Sequence, residues 1–374
     1  MSKPKLELVA LKKEYDNGSV IAVDRIDLSI AAGETVALLG SSGCGKSTTL
    51  NMIVGIESPS SGDIQIDGKS VVSIPVGKRN VGLVFQDYAV FTTMTVRKNL
   101  AFGLSVRGES SYKIDKAVDE VAELLGMKDR LDTHTRELGG SELQRVAIGR
   151  TLVTRPRILL LDEPLSSLDA KLRIDLRAEL KRLQRDLGHT FLMATPDFQE
   201  AIAVAGTIVM LRQGHIIQIA PPQEIYGNPA DRGVAEFVGS PQINLARAEI
   251  VSNGRDKRIA LAGALLELPT HFNLLSESAQ KGFELGIRPE NLQIEDTDNG
   301  DFKARVMDIE SQGFKSVVTV TAGNQELRLT LSDAQVTGLF LGQEIGISVT
   351  NLSRLLAFDP ESGRRIDGTN ACSN

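Results

Sequence analysis

Residues Thr35–Gly55 read TVALLGSSGCGKSTTLNMIVG. Thr35–Leu39 is a short apolar run of the kind that forms a buried parallel strand. Gly40–Ser47 then fits G-x-x-x-x-G-K-[ST], and the helical run TTLNMIVG follows. A strand before and a helix after are the context this motif needs. Glycines let the backbone curl, so that N–H groups along Ser41, Ser42, Gly43, Cys44, Gly45, Lys46, Ser47 and Thr48 can turn toward phosphate oxygens. The helix adds its positive N-terminal end. Lys46 reaches the β- and γ-phosphates and the Ser47 hydroxyl can hold Mg²⁺, so ATP and Mg²⁺ are the expected ligands.

A second acidic motif lies downstream. RILLLDEPLSSLD delivers Asp162 and Glu163 to the end of an apolar strand, the edge where α/β folds place ligands. Asp162 suits the Mg²⁺ shell, directly or through water, and Glu163 is placed to polarise an attacking water. Further apolar runs at Val81–Phe85, Phe191–Ala194 and Thr207–Leu211 alternate with helical patterns. In 170–188, Leu172, Leu176, Leu180, Leu183 and Leu187 share one face and Gly188 supplies a stop. In 112–125, Ile114, Val118, Val121 and Leu125 do the same before Gly126. Such alternation predicts an α/β domain with a largely parallel sheet, closed by a hairpin of Thr207–Leu211 with His215–Ile219. From Leu245 onward, FKARVMDIE, SVVTVTA and QELRLTLS alternate with period two, which predicts a small antiparallel β domain, barrel-like.

The bulk numbers agree with two packed domains. The chain has 374 residues, 41% of them apolar, and a formal net charge of −6. That balance argues against a protein that coats nucleic acid. The two cysteines, Cys44 and Cys372, make neither a disulfide framework nor a metal-ligand spacing and fit a reducing compartment. The N-terminal MSKPKLELVALKKEYDNG has no signal-peptide core, and no run of about 18 apolar residues is present to span a bilayer.

Taken together, the phosphate loop, VFQDYAVFTTMTVRKNLAFGL, LGGSELQRVAIGRTL, LLLDEPLSSLDAKLR and GIRPENLQI resemble the ATPase subunit of an ABC importer, and most of all the carbohydrate branch serving maltose, other sugars, polyols, glycerol and glycerol phosphate. The resemblance implies an ABC-type P-loop NTPase domain over 1–238, with a helical subdomain at about 88–155. A small β-rich, OB-like domain over 239–374 would follow. It implies that Tyr15 stacks on adenine, that Gln86 senses Mg²⁺ and the attacking water, and that Asp169 belongs to a loop crossing a dimer interface. It implies two membrane-spanning permease subunits, met through Tyr88–Leu104, a solute-binding protein engaged indirectly, and a peripheral place on the cytoplasmic face of the plasma membrane.

Two departures from the family pattern stand out. Where members usually read LSGGQ, this chain reads Leu138-Gly139-Gly140-Ser141-Glu142. In the family that motif opens a helix facing the γ-phosphate bound on the opposite subunit. Gly139 has no hydroxyl, and Glu142 brings a carboxylate to the helix N-terminus. Where members have a histidine that contacts the γ-phosphate, this chain has Pro196, with neither a side-chain donor nor a backbone N–H. Losing one well-placed donor to developing charge costs roughly 10²–10³ in rate. In a homodimer both composite sites would carry both losses; beside a different, complete ATPase chain each would carry one. The expectation is therefore ATP binding with reduced hydrolysis in a heterodimer, the alternative being a hydrolytically silent, ATP-binding structural or regulatory subunit.

Overall fold

The computed structural model describes residues 4–166, 170–253, 256–274 and 282–366; Asp169 and Cys372 lie outside these. The chain opens with β1 (Leu6–Tyr15), β2 (Val20–Ile30), β3 (Thr35–Leu39), α1 (Lys46–Val54), β4 (Ser61–Ile66) and β5 (Lys69–Ser70). β6 (Val81–Val84) is followed by α2 (Val96–Val106), α3 (Ser111–Leu124) and α4 (Gly140–Leu152). Then come β7 (Ile158–Asp162), α5 (Ala170–Leu187), β8 (Thr190–Thr195), α6 (Phe198–Val204), β9 (Thr207–Arg212) and β10 (His215–Ala220).

The expected parallel sheet is present, in the order β10-β9-β3-β8-β7-β6. Only the β9–β10 hairpin at its edge is antiparallel. β3 is apolar along its whole length because both of its faces are covered, and all five of its residues are buried. In α5, Leu176, Leu180 and Leu183 are buried as their spacing predicts, each side chain contributing on the order of 1.5–3 kcal/mol. The side chains of Leu172 and Leu187 fall outside the description. In α3, Val118 and Leu125 just beyond it are buried, and Gly126 ends the run at φ +62°.

A second sheet, ordered β2-β1-β4-β5, is antiparallel and packs its apolar face into the same core as β3 and α1. Sequence reasoning gave no account of it. Its register slips at several points, around Leu8–Leu11 and Lys13–Glu14, and Ala10 and Arg25 have positive φ. Those bulges break the period-two alternation by which a strand is recognised.

Contacts divide the chain into two units, at Pro222 and Gln223. The second holds α7 (Pro222–Gly227), α8 (Arg232–Phe237), β11 (Asn244–Asn253), β12 (Asp256–Leu261), β13 (Ala264–Glu267) and β14 (Phe283–Ile287). It continues with β15 (Leu292–Glu295), β16 (Phe302–Ser311), β17 (Lys315–Ala322), β18 (Gln325–Ser332), β19 (Glu344–Val349) and β20 (Leu356–Phe358). All pairings are antiparallel, in two sheets ordered β13-β12-β11-β14-β20 and β15-β19-β16-β17-β18. Their facing apolar residues share one core. α7 and α8 are tied to this unit by Arg288. Its buried guanidinium donates to the carbonyls of Ala235 (2.9 Å), Val238 (2.6 Å) and Tyr226 (2.8 Å) and stacks 4.0 Å from the Tyr226 ring centre.

Candidate functional site: a phosphate loop at the edge of the parallel sheet

β3 feeds directly into the glycine-rich turn, and α1 begins at Lys46. Gly43 and Gly45 have φ of +78° and +107°, which only glycine adopts without strain. Gly40 is required for a different reason: a Cβ there would stand 2.3 Å from the Leu211 carbonyl oxygen of β9. Ser41, Ser42, Gly43 and Ser47 are exposed, Thr48 is half-buried, and Cys44, Gly45 and Lys46 are buried. The Cys44 thiol is pushed above its ordinary pKa by burial. It therefore behaves as a small packed group, consistent with a backbone role for this position.

Lys46 is anchored across the loop. Its ammonium donates to the carbonyls of Gly40 (2.8 Å) and Ser41 (3.0 Å) and lies 3.9 Å from the Glu163 carboxylate. Ser47 Oγ donates to Asp162 Oδ1 at 3.0 Å, so the loop and the end of β7 meet directly. Burial raises the Asp162 pKa, with the Ser47 hydrogen bond and the Lys46 charge opposing that rise. Glu163 has left the strand and sits at φ +45°, with its N–H donating to the Ala194 carbonyl of β8 at 2.9 Å. Gln86 is exposed just beyond β6, whose Val84 lies opposite Leu161 of β7, so Gln86 and Asp162 leave the same edge of the sheet.

Tyr15 ends β1, and its hydroxyl donates to Glu57. Burial and the hydrogen bond to Glu57 raise its pKa, while a hydrogen bond from Thr48, in the first turn of α1, opposes the rise. Lys13 lies 4.9 Å from the ring centre and donates to the Ser58 carbonyl at 2.9 Å. The aromatic ring is thus linked to the helix that carries the phosphate loop.

The two departing segments have clear local structures. Gly139 is the N-cap of α4, and Glu142 Oε2 accepts its N–H at 3.1 Å. Glu142 Oε1 is 3.4 Å from Arg130 Nε. The carboxylate at this helix end is therefore turned back onto its own cap and faces a cation. At the end of β8, Pro196 is exposed between a buried Thr195 and Asp197. Thr195 Oγ1 donates to the buried Glu200 at 2.6 Å, and Asp197 caps α6 through the N–H groups of Gln199 (2.7 Å) and Glu200 (3.2 Å). Arg173 and Arg177 of α5 approach Asp197, each at 3.7 Å.

A glycine-rich turn between a buried strand and a helix, with a lysine strung across it and a serine bonded to a strand-end aspartate, defines a nucleotide-triphosphate-binding domain of the P-loop class. Residues 23–166 match the ABC transporter family and residues 285–351 match the TOBE domain. The chain is 38% identical over 367 residues to the trehalose/maltose import ATP-binding protein MalK of Thermococcus litoralis, covering 93% of this chain and 96% of that protein. It is 38% identical over 361 residues to the sn-glycerol-3-phosphate import ATP-binding protein UgpC of Salmonella typhimurium, covering 96% and 99%. The alpha-glucoside transport ATP-binding protein AglK of Rhizobium meliloti is 40% identical over 312 residues, covering 82% and 84%. Among solved structures, cbiO1 of Clostridium perfringens, part of the ABC transporter complex cbiONQ, aligns with a TM-score of 0.55 at 30% identity over 60% of this chain and 90% of that one. The chain belongs to the ATP-binding subunits of ABC transporters, with an ABC-type P-loop domain followed by a β-rich TOBE domain, and it is an ATPase coupled to transport. Such a subunit is peripheral at the membrane and works with permease partners; among the described residues no helix is long and apolar enough to cross a bilayer.

Proposed function

We propose that this chain energises an importer for a small carbohydrate, polyol, glycerol or glycerol phosphate from the cytoplasmic face of the plasma membrane. It would do so beside a second, different ATPase chain and with slowed hydrolysis in the sites it helps to build. The solute class rests on relatives that carry trehalose/maltose, sn-glycerol-3-phosphate and alpha-glucoside in their names.

The single observation that carries the reading is the contrast between an intact grip and a missing sensor. Lys46 is tied to the carbonyls of its own loop and Ser47 is bonded to Asp162, while the position expected to report on the γ-phosphate is an exposed proline. In this reading the N–H groups of Ser41–Thr48 and the Lys46 ammonium hold the triphosphate. Tyr15 stacks on the base and Glu163 takes the proton side of water attack.

The donor set suits magnesium. Ser47 and Asp162 offer hard oxygens 3.0 Å apart, and Mg²⁺ in nucleotide sites takes one or two protein oxygens and completes its shell with phosphates and water. No group of three acidic, histidine or cysteine side chains is therefore needed, and none occurs among the described residues. Gln86, at the same sheet edge, is assigned to that shell through water. When bound, Mg²⁺ supplies charge neutralisation of the phosphates.

Purification of the intact transporter tests the assembly. Two distinct ATPase chains per complex are expected; one species at two copies would sink the heterodimer.

A further inference from the structure

Gln144 lies in the second turn of α4 and is fully buried. Its Nε2 donates to the carbonyl of Pro164, the residue directly after Glu163. Its Oε1 is buried with no partner among the described residues. The side chain thus spends its hydrogen bonding on one target.

That target matters because of the backbone beside it. Glu163 holds φ +45°, a left-handed conformation that costs a residue with a side chain and persists only where the surroundings fix it. Two outside ties do so. The Glu163 N–H is bonded to Ala194 of β8, and the following carbonyl, on Pro164, is bonded to Gln144 of α4. Ser166 closes the turn locally, its N–H (3.3 Å) and hydroxyl (3.0 Å) both donating to the Glu163 carbonyl.

We propose that Gln144 is a positioning residue: it holds the Glu163 turn in its left-handed form and so links this chain's water-polarising carboxylate to α4. This rests on the reading of Glu163 as that carboxylate and of α4 as the helix facing the nucleotide bound by the opposite subunit. The first turn of α4 carries Gly139–Glu142, and Gln144 follows on the same rigid element. A phosphate settling at the helix end bears on the same helix that grips Pro164. Occupancy of one composite site then sets the geometry of the other through one amide.

The test uses the assembled transporter with Gln144→Met, which keeps length and apolar volume but removes the donor. Hydrogen exchange of the segment 162–166 should speed up by about tenfold or more while the segment 146–152 of α4 is unchanged. Turnover should fall by about tenfold or more, as misplacement of a catalytic group does, with KM for ATP held within about twofold. In a Glu163→Gln background, Gln144→Met should slow turnover no further. Gln144→Leu, also without a donor, should give the same exchange change and covers the case in which the methionine variant fails to assemble. Unchanged exchange at 162–166, or equal loosening of α4, overturns the proposal. A rate unaffected by Glu163→Gln alone would instead remove the role given to Glu163, and the exchange result would still decide the role of Gln144.

Discussion

The loop proposed to grip a nucleotide and the segments proposed to act on its last phosphate are built from different materials. In that proposal Gly40–Thr48 works through its backbone, shaped by glycines at positive φ and one lysine tied to carbonyls of its own loop. The segments around Gly139 and Pro196 would work through single side chains, a hydroxyl and an imidazole, and those are the groups this chain lacks. A backbone device depends on many residues together and on the strand and helix at its ends. A side-chain device is lost in one substitution without disturbing the fold: Gly139 still caps α4 and Asp197 still caps α6. Substitutions in the two kinds of segment are therefore expected to act on binding and on turnover separately.

The largest effect is expected from Lys46→Ala. Removing the charge-assisted contacts to two phosphates should weaken ATP binding by about 100-fold or more in equilibrium dialysis with labelled ATP, and solute uptake should stop. Retained binding would end the distinction at once. Glu163→Gln should leave binding intact and lower turnover by roughly 10²–10⁴, the range for a general base; indifference would favour a purely structural subunit. Pro196→His should raise the ATPase rate of the complex by about tenfold or more if the absent imidazole limits turnover. An unchanged rate would place the limit at Gly139 or at another step.

Gly40→Ala probes the backbone of the loop itself. The added methyl meets the Leu211 carbonyl at 2.3 Å, so the loop must shift. A loss of about 1–3 kcal/mol is expected in thermal or denaturant unfolding, together with weaker nucleotide binding. The smallest effect concerns Glu200, beside the proline segment. Burial raises its pKa, with the Thr195 hydrogen bond opposing. The folded chain therefore holds this proton to higher pH than the unfolded chain does, and stability attributable to Glu200 rises as pH falls from neutral through that raised pKa to about 4.3. Glu200→Gln should flatten this slope in a series of unfolding midpoints taken against pH, while moving the neutral-pH midpoint by no more than a few degrees, about 1 kcal/mol.

How much of this was legible in the sequence follows the same division. The phosphate loop, β3 and the two acidic residues were readable because each is a local pattern with a local cause. Leu176, Leu180 and Leu183 were readable because a helix repeats. The alternating strands of the second unit were readable because each buries one face. The β2-β1-β4-β5 sheet was hidden by its own bulges. The turning-back of Glu142 onto Gly139 could be suspected from a glutamate three residues past a helix start, but its pairing with Arg130 spans a turn-rich segment with no periodic pattern to announce it. Gln144 carried no signal as a single polar residue within a helical run. Its meaning comes only from its burial and from the Pro164 carbonyl it meets.

The Arg288 guanidinium has a practical consequence. Anyone wishing to express the nucleotide-handling part alone would be tempted to cut in the turn-rich stretch after residue 238. Such a cut would leave α7 and α8 on the wrong fragment and strand a buried cation that now rests on the carbonyls of Tyr226, Ala235 and Val238 and on the Tyr226 ring. Ending the first piece before Pro222 keeps that cation with its acceptors, and both fragments should then be recovered from the soluble fraction in better yield.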